Sequence, residues 1–158
     1  MLKAVRKTKP RQTGGNFAIV ASRYNGRYVD AMLRAAQAEL KRAGATAQVV
    51  RVPGAFEIPA VASRLATRSP KFSGIICFGV IFQGQTSHAQ HIGWGITHAL
   101  AQIQVRDALP VIHAVFVFEQ EEHARVRCLG KKHNRGREAA QTALAMAQVM
   151  GGLAVKNR

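Results

Sequence analysis

Residues 79–88, GVIFQGQTSH, place more reactive chemistry in one short stretch than any other part of the chain. An apolar run ends at a glycine, passes two small hydroxyl residues and reaches His88 where a helical pattern begins. Strand, turn and helix start therefore meet at an ionisable side chain. Ser87 and Gln90 stand in the S-x-x-Q relation of a capping box, so the spacing predicts a helix N-terminus beside His88. Unpaired backbone N–H groups at such an end attract anions, and a phosphate or carboxylate could be held by Gln85, Thr86 and the backbone, with Gly84 allowing close approach. A neutral imidazole at the same point could carry protons near neutral pH. These residues alone leave open the plainer reading that His88 decorates a helix start.

The second candidate is VPGAFEIP, residues 52–59, which packs two prolines, a glycine, an aromatic ring and a carboxylate between a strand and a helix. A tight turn with Glu57 in the first turn of a helix would explain each residue type structurally. Yet this loop and the His88 loop both leave the carboxyl ends of strands, where ligands bind in open parallel sheets. Other motifs are weaker. His88 and His91, with His98 further on, lack a third ligand that projects the same way and no carboxylate or cysteine has metal-site spacing, so no metal is expected, and His113 inside a strand pattern is read as a packed or rim residue. The chain has no Walker-type loop, no G-x-G-x-x-G after its first strand and no G-x-S-x-G elbow.

The elements that must position these residues follow from periodicity. FAIVAS (17–22) reads as a buried strand, followed by a helix with Val29, Met32, Leu33, Ala36 and Leu40 on one face and Gly44 as its C′ glycine. TAQVVRV (46–52) predicts a second strand, 58–67 a helix, and 74–82 a third strand. A helix with Ile92, Ile96, Leu100 and Ile103 on its apolar face comes next, then a strand over 109–117 and helices over 120–128 and 134–150. Alternating strands and helices imply an α/β fold: a four-stranded parallel sheet covered on both faces in a three-layer sandwich.

Composition sets the outer bounds. The 158 residues and 47% hydrophobic content suit one domain over residues 16–158, preceded by a mobile basic arm over residues 1–15 that carries Lys3, Arg6, Lys7, Lys9 and Arg11. No apolar run nears the roughly 20 residues of a membrane span, and the N-terminus does not resemble a signal peptide, so a cytoplasmic protein with no membrane partner is expected. Cys77 and Cys128 lack the spacing of a zinc or redox motif and read as reduced packing residues. The balance of 23 Lys and Arg against 8 Asp and Glu gives a net charge of +15, which predicts an anionic partner without naming it. Aromatic content of 6% and the lack of an RNA-binding signature disfavour nucleic acid.

Five loops in this order, SRYN (22–25), VPGAFEIP (52–59), GVIFQGQTSH (79–88), PVIHAV (110–115) and HNRG (133–136), resemble the 6,7-dimethyl-8-ribityllumazine synthase family over nearly the whole chain. The resemblance implies a flavodoxin-like form of the sheet and a transferase of riboflavin biosynthesis. That enzyme condenses 5-amino-6-(D-ribitylamino)uracil with 3,4-dihydroxy-2-butanone 4-phosphate, without metal or organic cofactor. It also implies a homo-oligomer, either a pentamer or a shell of twelve pentamers, with riboflavin synthase as a candidate partner. Carried onto this sequence, Tyr24 takes the place of a ring that stacks on the pyrimidine, and Ala55, Phe56 and Glu57 match the loop that binds the pyrimidine and its ribityl chain. Val80, Ile81 and Phe82 continue that wall, Gln85 and Thr86 match the phosphate turn, and His88 matches the proton-transfer residue. His113 replaces a phenylalanine reaching in from the neighbouring subunit, Arg127 matches that neighbour's phosphate-binding arginine, and Arg135 replaces a lysine.

The sequence departs from the pattern at three of these points. Tyr24 stands where Phe or Trp is usual, Gln83 where a basic residue is usual, and His113 where Phe is usual. The competing expectation is a shell-forming relative, weakly active or inactive, that keeps the scaffold and binds flavin or RNA.

Overall fold

The computed structural model describes residues 14–155. The basic arm expected over residues 1–15 lies outside the described residues except for Gly14 and Gly15. Four strands, β1 (Asn16–Ser22), β2 (Thr46–Val52), β3 (Gly74–Phe82) and β4 (Val111–Phe118), form one parallel sheet in the order β2-β1-β3-β4. Helices α1 (Gly26–Arg42) and α5 (Arg135–Val155) cover one face, and α2 (Ile58–Ala66) and α3 (His88–Asp107) the other. A single-turn α4 (Glu121–Ala124) runs into a π-helical turn, Arg125–Leu129. The expected three-layer α/β architecture is therefore present.

Coverage on both faces explains why β1 and β3 read as continuous apolar runs. Successive residues point to opposite faces. Phe17, Ile19, Ile76 and Phe78 pack with Met32 and Leu40 of α1 and Leu144 of α5. Ala18, Val20, Ile75 and Cys77 pack with Ile58 of α2 and with Ile96 and Leu100 of α3. Full burial of each large side chain contributes roughly 1.5–3 kcal/mol. Both cysteines are buried, and desolvation pushes the Cys77 thiol up to about 12 and the Cys128 thiol up to about 11, so neither is a ready nucleophile.

Helix ends show which local signals held. Gly44, at φ 72, ends α1 as the C′ residue: its N–H donates to Lys41 O (3.0 Å) and that of Ala45 to Leu40 O (2.9 Å). The capping box at Ser87 does not form. Ser87 is the N-cap residue, but its hydroxyl lies 3.0 Å from His91 Nε2, and that contact replaces a bond to the helix backbone. The apolar face of α3 is Ala89, Ile96, Leu100 and Ile103, with Ile92 only partly buried. The expected helix over 120–128 is instead α4 followed by the π turn. The last helix runs to Val155, beyond the expected end at 150. Strand β4 begins later than the 109–117 run because Pro110 has no N–H to pair; its carbonyl accepts from Ile75 N–H at 2.8 Å.

Strand order reverses between β1 and β3. The crevice outside their carboxyl ends is where an open α/β sheet binds ligands, and it fixes where the site must be sought.

Candidate active site

The loop after β1 is pinned to both neighbouring strands. Backbone N–H groups of Arg23 and Tyr24 donate to Pro53 O at 3.0 and 3.1 Å. Asn25 takes the left-handed conformation (φ 55), which asparagine tolerates better than most residues, and its Nδ2 donates to Val80 O at 2.7 Å. Tyr24 is left 69% exposed, with its ring lying across Gly54.

The VPGAFEIP loop explains its own glycine. A Cβ at Gly54 would sit 2.9 Å from Glu57 Oε2 and 3.1 Å from Tyr24 Cδ2. Gly54 N–H donates to Glu57 Oε2 at 2.8 Å, so the carboxylate folds back over the turn and stays exposed. Residues Ala55–Glu57 form a 3-10 turn ahead of α2. Ala55 is buried against Gly79, where a Cβ would lie 3.1 Å from that of Ala55, and Phe56 is 62% exposed near α3.

The third loop is folded by Gln83. Its backbone N–H donates to Phe118 O (2.8 Å), and its side-chain Nε2 donates to Thr86 O (2.6 Å) and Gly84 O (3.3 Å). The amide oxygen of the same side chain is buried without a partner among the described residues. Gly84 meets nothing within 4 Å of a built Cβ, so the chain itself does not require glycine there. Thr86 Oγ1 accepts from His88 N–H at 3.4 Å, and Gln85, Thr86 and His88 are all exposed. The first turn of α3 carries no acid, which leaves its positive end uncompensated beside these groups.

Tyr24, Ala55, Phe56, Glu57, Gln85, Thr86 and His88 thus sit in three adjacent loops at one end of the sheet. Ile81 points to the α2 and α3 face with them, whereas the side chains of Val80 and Phe82 pack on the α1 and α5 face. Phe82 meets the Tyr28 ring edge-on at 5.6 Å. His113 is not at this rim in its own chain. It lies in register with Cys77 in mid-sheet, exposed on the edge strand, with Nε2 2.8 Å from Thr97 Oγ1, and partial desolvation lowers its pKa. Arg127 is exposed on the π turn packed against α1, and Arg135 pairs with Glu138 at 2.6 Å. A buried Asn134 ties that turn to the start of α5: Nδ2 donates to Cys128 O (2.7 Å) and Oδ1 accepts from Gly136 N–H (2.9 Å). Asn25, Gln83 and Asn134 were not singled out as positioning residues by sequence reasoning. Asparagine just before each helical pattern was the available signal for the first and last.

A profile of the 6,7-dimethyl-8-ribityllumazine synthase family matches residues 14–151, which includes all three loops and the π turn. The chain belongs to the 6,7-dimethyl-8-ribityllumazine synthase family. Two relatives that carry this name, from Xanthomonas euvesicatoria pv. vesicatoria and Xanthomonas campestris pv. campestris, are 36% identical over 143 residues, covering 89% of this chain and 92% of theirs. A third lumazine synthase, from Stenotrophomonas maltophilia, is 36% identical over 137 residues, 85% of this chain and 88% of its own. Family membership accounts for the pairing of VPGAFEIP with the His88 loop on one flavodoxin-like sheet. No helix among the described residues is long and apolar enough to cross a membrane, and no group of three or more His, Cys, Asp or Glu there is placed to hold a metal ion.

Proposed function

We propose that this chain condenses 5-amino-6-(D-ribitylamino)uracil with 3,4-dihydroxy-2-butanone 4-phosphate, giving 6,7-dimethyl-8-ribityllumazine, phosphate and water in riboflavin biosynthesis. The observation that carries the reading is the convergence of Tyr24, the Ala55–Glu57 turn and the His88 loop at the crevice between β1 and β3, in a chain that matches the family over residues 14–151.

Each group has a role its environment suits. The exposed rings of Tyr24 and Phe56 offer apolar faces for a pyrimidine, and Glu57 offers a carboxylate to its polar edge or ribityl chain. Gln85, Thr86 and the start of α3 receive the phosphate. His88 then moves protons as the pyrimidine amine attacks the ketone, water leaves to form the imine, phosphate is eliminated, and the second ring closes with loss of a second water. Holding two reactive molecules side by side supplies much of the acceleration.

Among the described residues no lysine or arginine is hydrogen-bonded to Gln85, Thr86 or His88. A homo-oligomer, pentameric or a larger shell, supplies a further wall: His113 and Arg127 come from the neighbouring subunit, with Arg127 gripping the phosphate and Arg135 beside it. Complementation tests the proposal. Expressed in a bacterial riboflavin auxotroph lacking its own lumazine synthase, the chain should restore growth without riboflavin. Failure to do so with soluble protein confirmed by blot would overturn the assignment.

A further inference from the structure

The turn between β3 and α3, residues 83–87, has almost no backbone bonding of its own. Gln83 N–H extends the β3–β4 ladder by one bond, to Phe118 O at 2.8 Å. Beyond it, no backbone-to-backbone hydrogen bond closes residues 84–87 on themselves among the described residues. The side chain of Gln83 does so instead, with Nε2 donating to Thr86 O at 2.6 Å and to Gly84 O at 3.3 Å. The other bond to this turn, from His88 N–H to Thr86 Oγ1, is long at 3.4 Å. Both acceptors of Gln83 are carbonyl oxygens, so its amide nitrogen must face them. Its amide oxygen is thereby turned inward, buried without a partner among the described residues. Water would relieve the desolvation cost of that oxygen, yet the two carbonyls keep the amide in this orientation.

Peptide geometry carries the effect to the opposite side of the turn. In a trans peptide the carbonyl of one residue and the N–H of the next point in opposite directions. Drawing Gly84 O and Thr86 O toward Gln83 therefore turns the N–H groups of Gln85 and Ser87 away from it. Neither N–H has an acceptor among the described residues, and both residues are exposed. The Ser87 hydroxyl does not cap the helix start in place of a ligand, because it lies 3.0 Å from His91 Nε2. Two oriented donors are left beside the uncompensated positive end of α3, an arrangement suited to phosphate.

We propose that Gln83 is a positioning residue for the condensation: by holding the carbonyls of Gly84 and Thr86 it presents the backbone N–H groups of Gln85 and Ser87 to the butanone phosphate, without touching the substrate itself. This role rests on the condensation reading above and confines the effect of Gln83 to one of the two substrates.

Steady-state lumazine formation by the full-length oligomer, with isothermal titration of inorganic phosphate alongside, tests it. Gln83→Met keeps the length of the side chain and removes both donors. It should raise KM for the butanone phosphate and Kd for phosphate about 5- to 10-fold, the loss expected for neutral hydrogen bonds of this kind, while KM for the aminouracil and Tm stay near the wild-type values. Gln83→Glu, an acceptor only at neutral pH, should raise both at least as much and carries the same test if the methionine variant does not fold. Gln83→Lys restores a donor within reach of Thr86 O and should return both values to within about 3-fold of the wild type. An unchanged KM for the butanone phosphate in an active Gln83→Met enzyme, an equal rise in both KM values, or a Gln83→Lys enzyme as impaired as Gln83→Met would overturn the proposal. A wild type that binds phosphate in a Gln83-dependent manner but forms no lumazine would support the role of Gln83 in the turn and overturn the condensation reading. Phosphate binding indifferent to Gln83, in a protein without turnover, would overturn both.

Discussion

Replacing Gly54 with alanine asks whether Tyr24 and Glu57 form one substrate surface. The backbone at Gly54 is extended (φ −120, ψ 177), so alanine fits without torsional strain. Its Cβ would nevertheless fall 2.9 Å from Glu57 Oε2 and 3.1 Å from the Tyr24 ring, and both side chains must move. They are free to do so, because Glu57 and Tyr24 are exposed. Displacing Glu57 weakens its 2.8 Å charge-assisted bond to Gly54 N–H, and a bond of that kind contributes roughly 1.5–3 kcal/mol when intact. Partial loss on an exposed loop, about 1–2 kcal/mol, corresponds to a 5- to 30-fold effect. Steady-state lumazine formation should show Gly54→Ala raising KM for the aminouracil by that factor while KM for the butanone phosphate stays put. Melting should shift by only a few degrees, since Gly→Ala also restricts the unfolded chain. Unchanged KM for both substrates would refute the shared surface, and an equal rise in both would point to general damage.

Three further perturbations follow from the same geometry. Arg127→Ala should raise KM for the butanone phosphate at least 10-fold, the loss of a charge-assisted phosphate contact; mixed with His88→Ala subunits in exchanging oligomers it should regain activity above either parent, and no recovery would rule out a site shared between subunits. Gly136→Ala should be the most damaging of the glycine-to-alanine changes, because a Cβ there lies 2.0 Å from Met32 O and forces α1 and α5 apart; about 3 kcal/mol or more, a fall in Tm of about 10 °C by calorimetry, is expected. His113→Phe bears on pH. The folded His113 has a pKa below 6.5, so the unfolded state takes up its proton first and folding is progressively penalised as pH falls through 6.5. The variant's Tm should therefore drop less than the wild type's between pH 7.5 and 5.5, and parallel curves would show that the buried side of this ring is irrelevant.

The sheet was the most legible part of the chain. The run 74–82 coincides with β3 because a central strand covered on both faces is uniformly apolar, and 46–52 coincides with the edge strand β2 because its alternation stops at Pro53. Gly44 was readable because only the left-handed C′ position asks for glycine after a helical pattern. The site was legible as three loops at strand ends, but its internal bonds were not. Ser87 faces a choice between its helix backbone and His91, and nothing in S-x-x-Q reveals that the histidine wins. Gln83 was noted as an unusual residue, yet its hold on Thr86 depends on a loop path that no periodicity encodes. The π turn escaped for a related reason: Arg125–Leu129 has helical composition, and the wider hydrogen-bonding ring comes from tertiary packing of Cys128 against α1 and the sheet. The roles proposed for His113 and Arg127 require a second chain, so this chain's own packing does not reveal them.

The measurement that bears most directly on the central claim is turnover by the purified full-length protein. Mixed with 5-amino-6-(D-ribitylamino)uracil and 3,4-dihydroxy-2-butanone 4-phosphate, it should form 6,7-dimethyl-8-ribityllumazine and release phosphate well above the rate in buffer. His88→Ala should run about 10- to 100-fold slower while keeping the wild-type melting temperature. Lumazine formation no faster than the uncatalysed background, from a folded oligomer, would contradict the account.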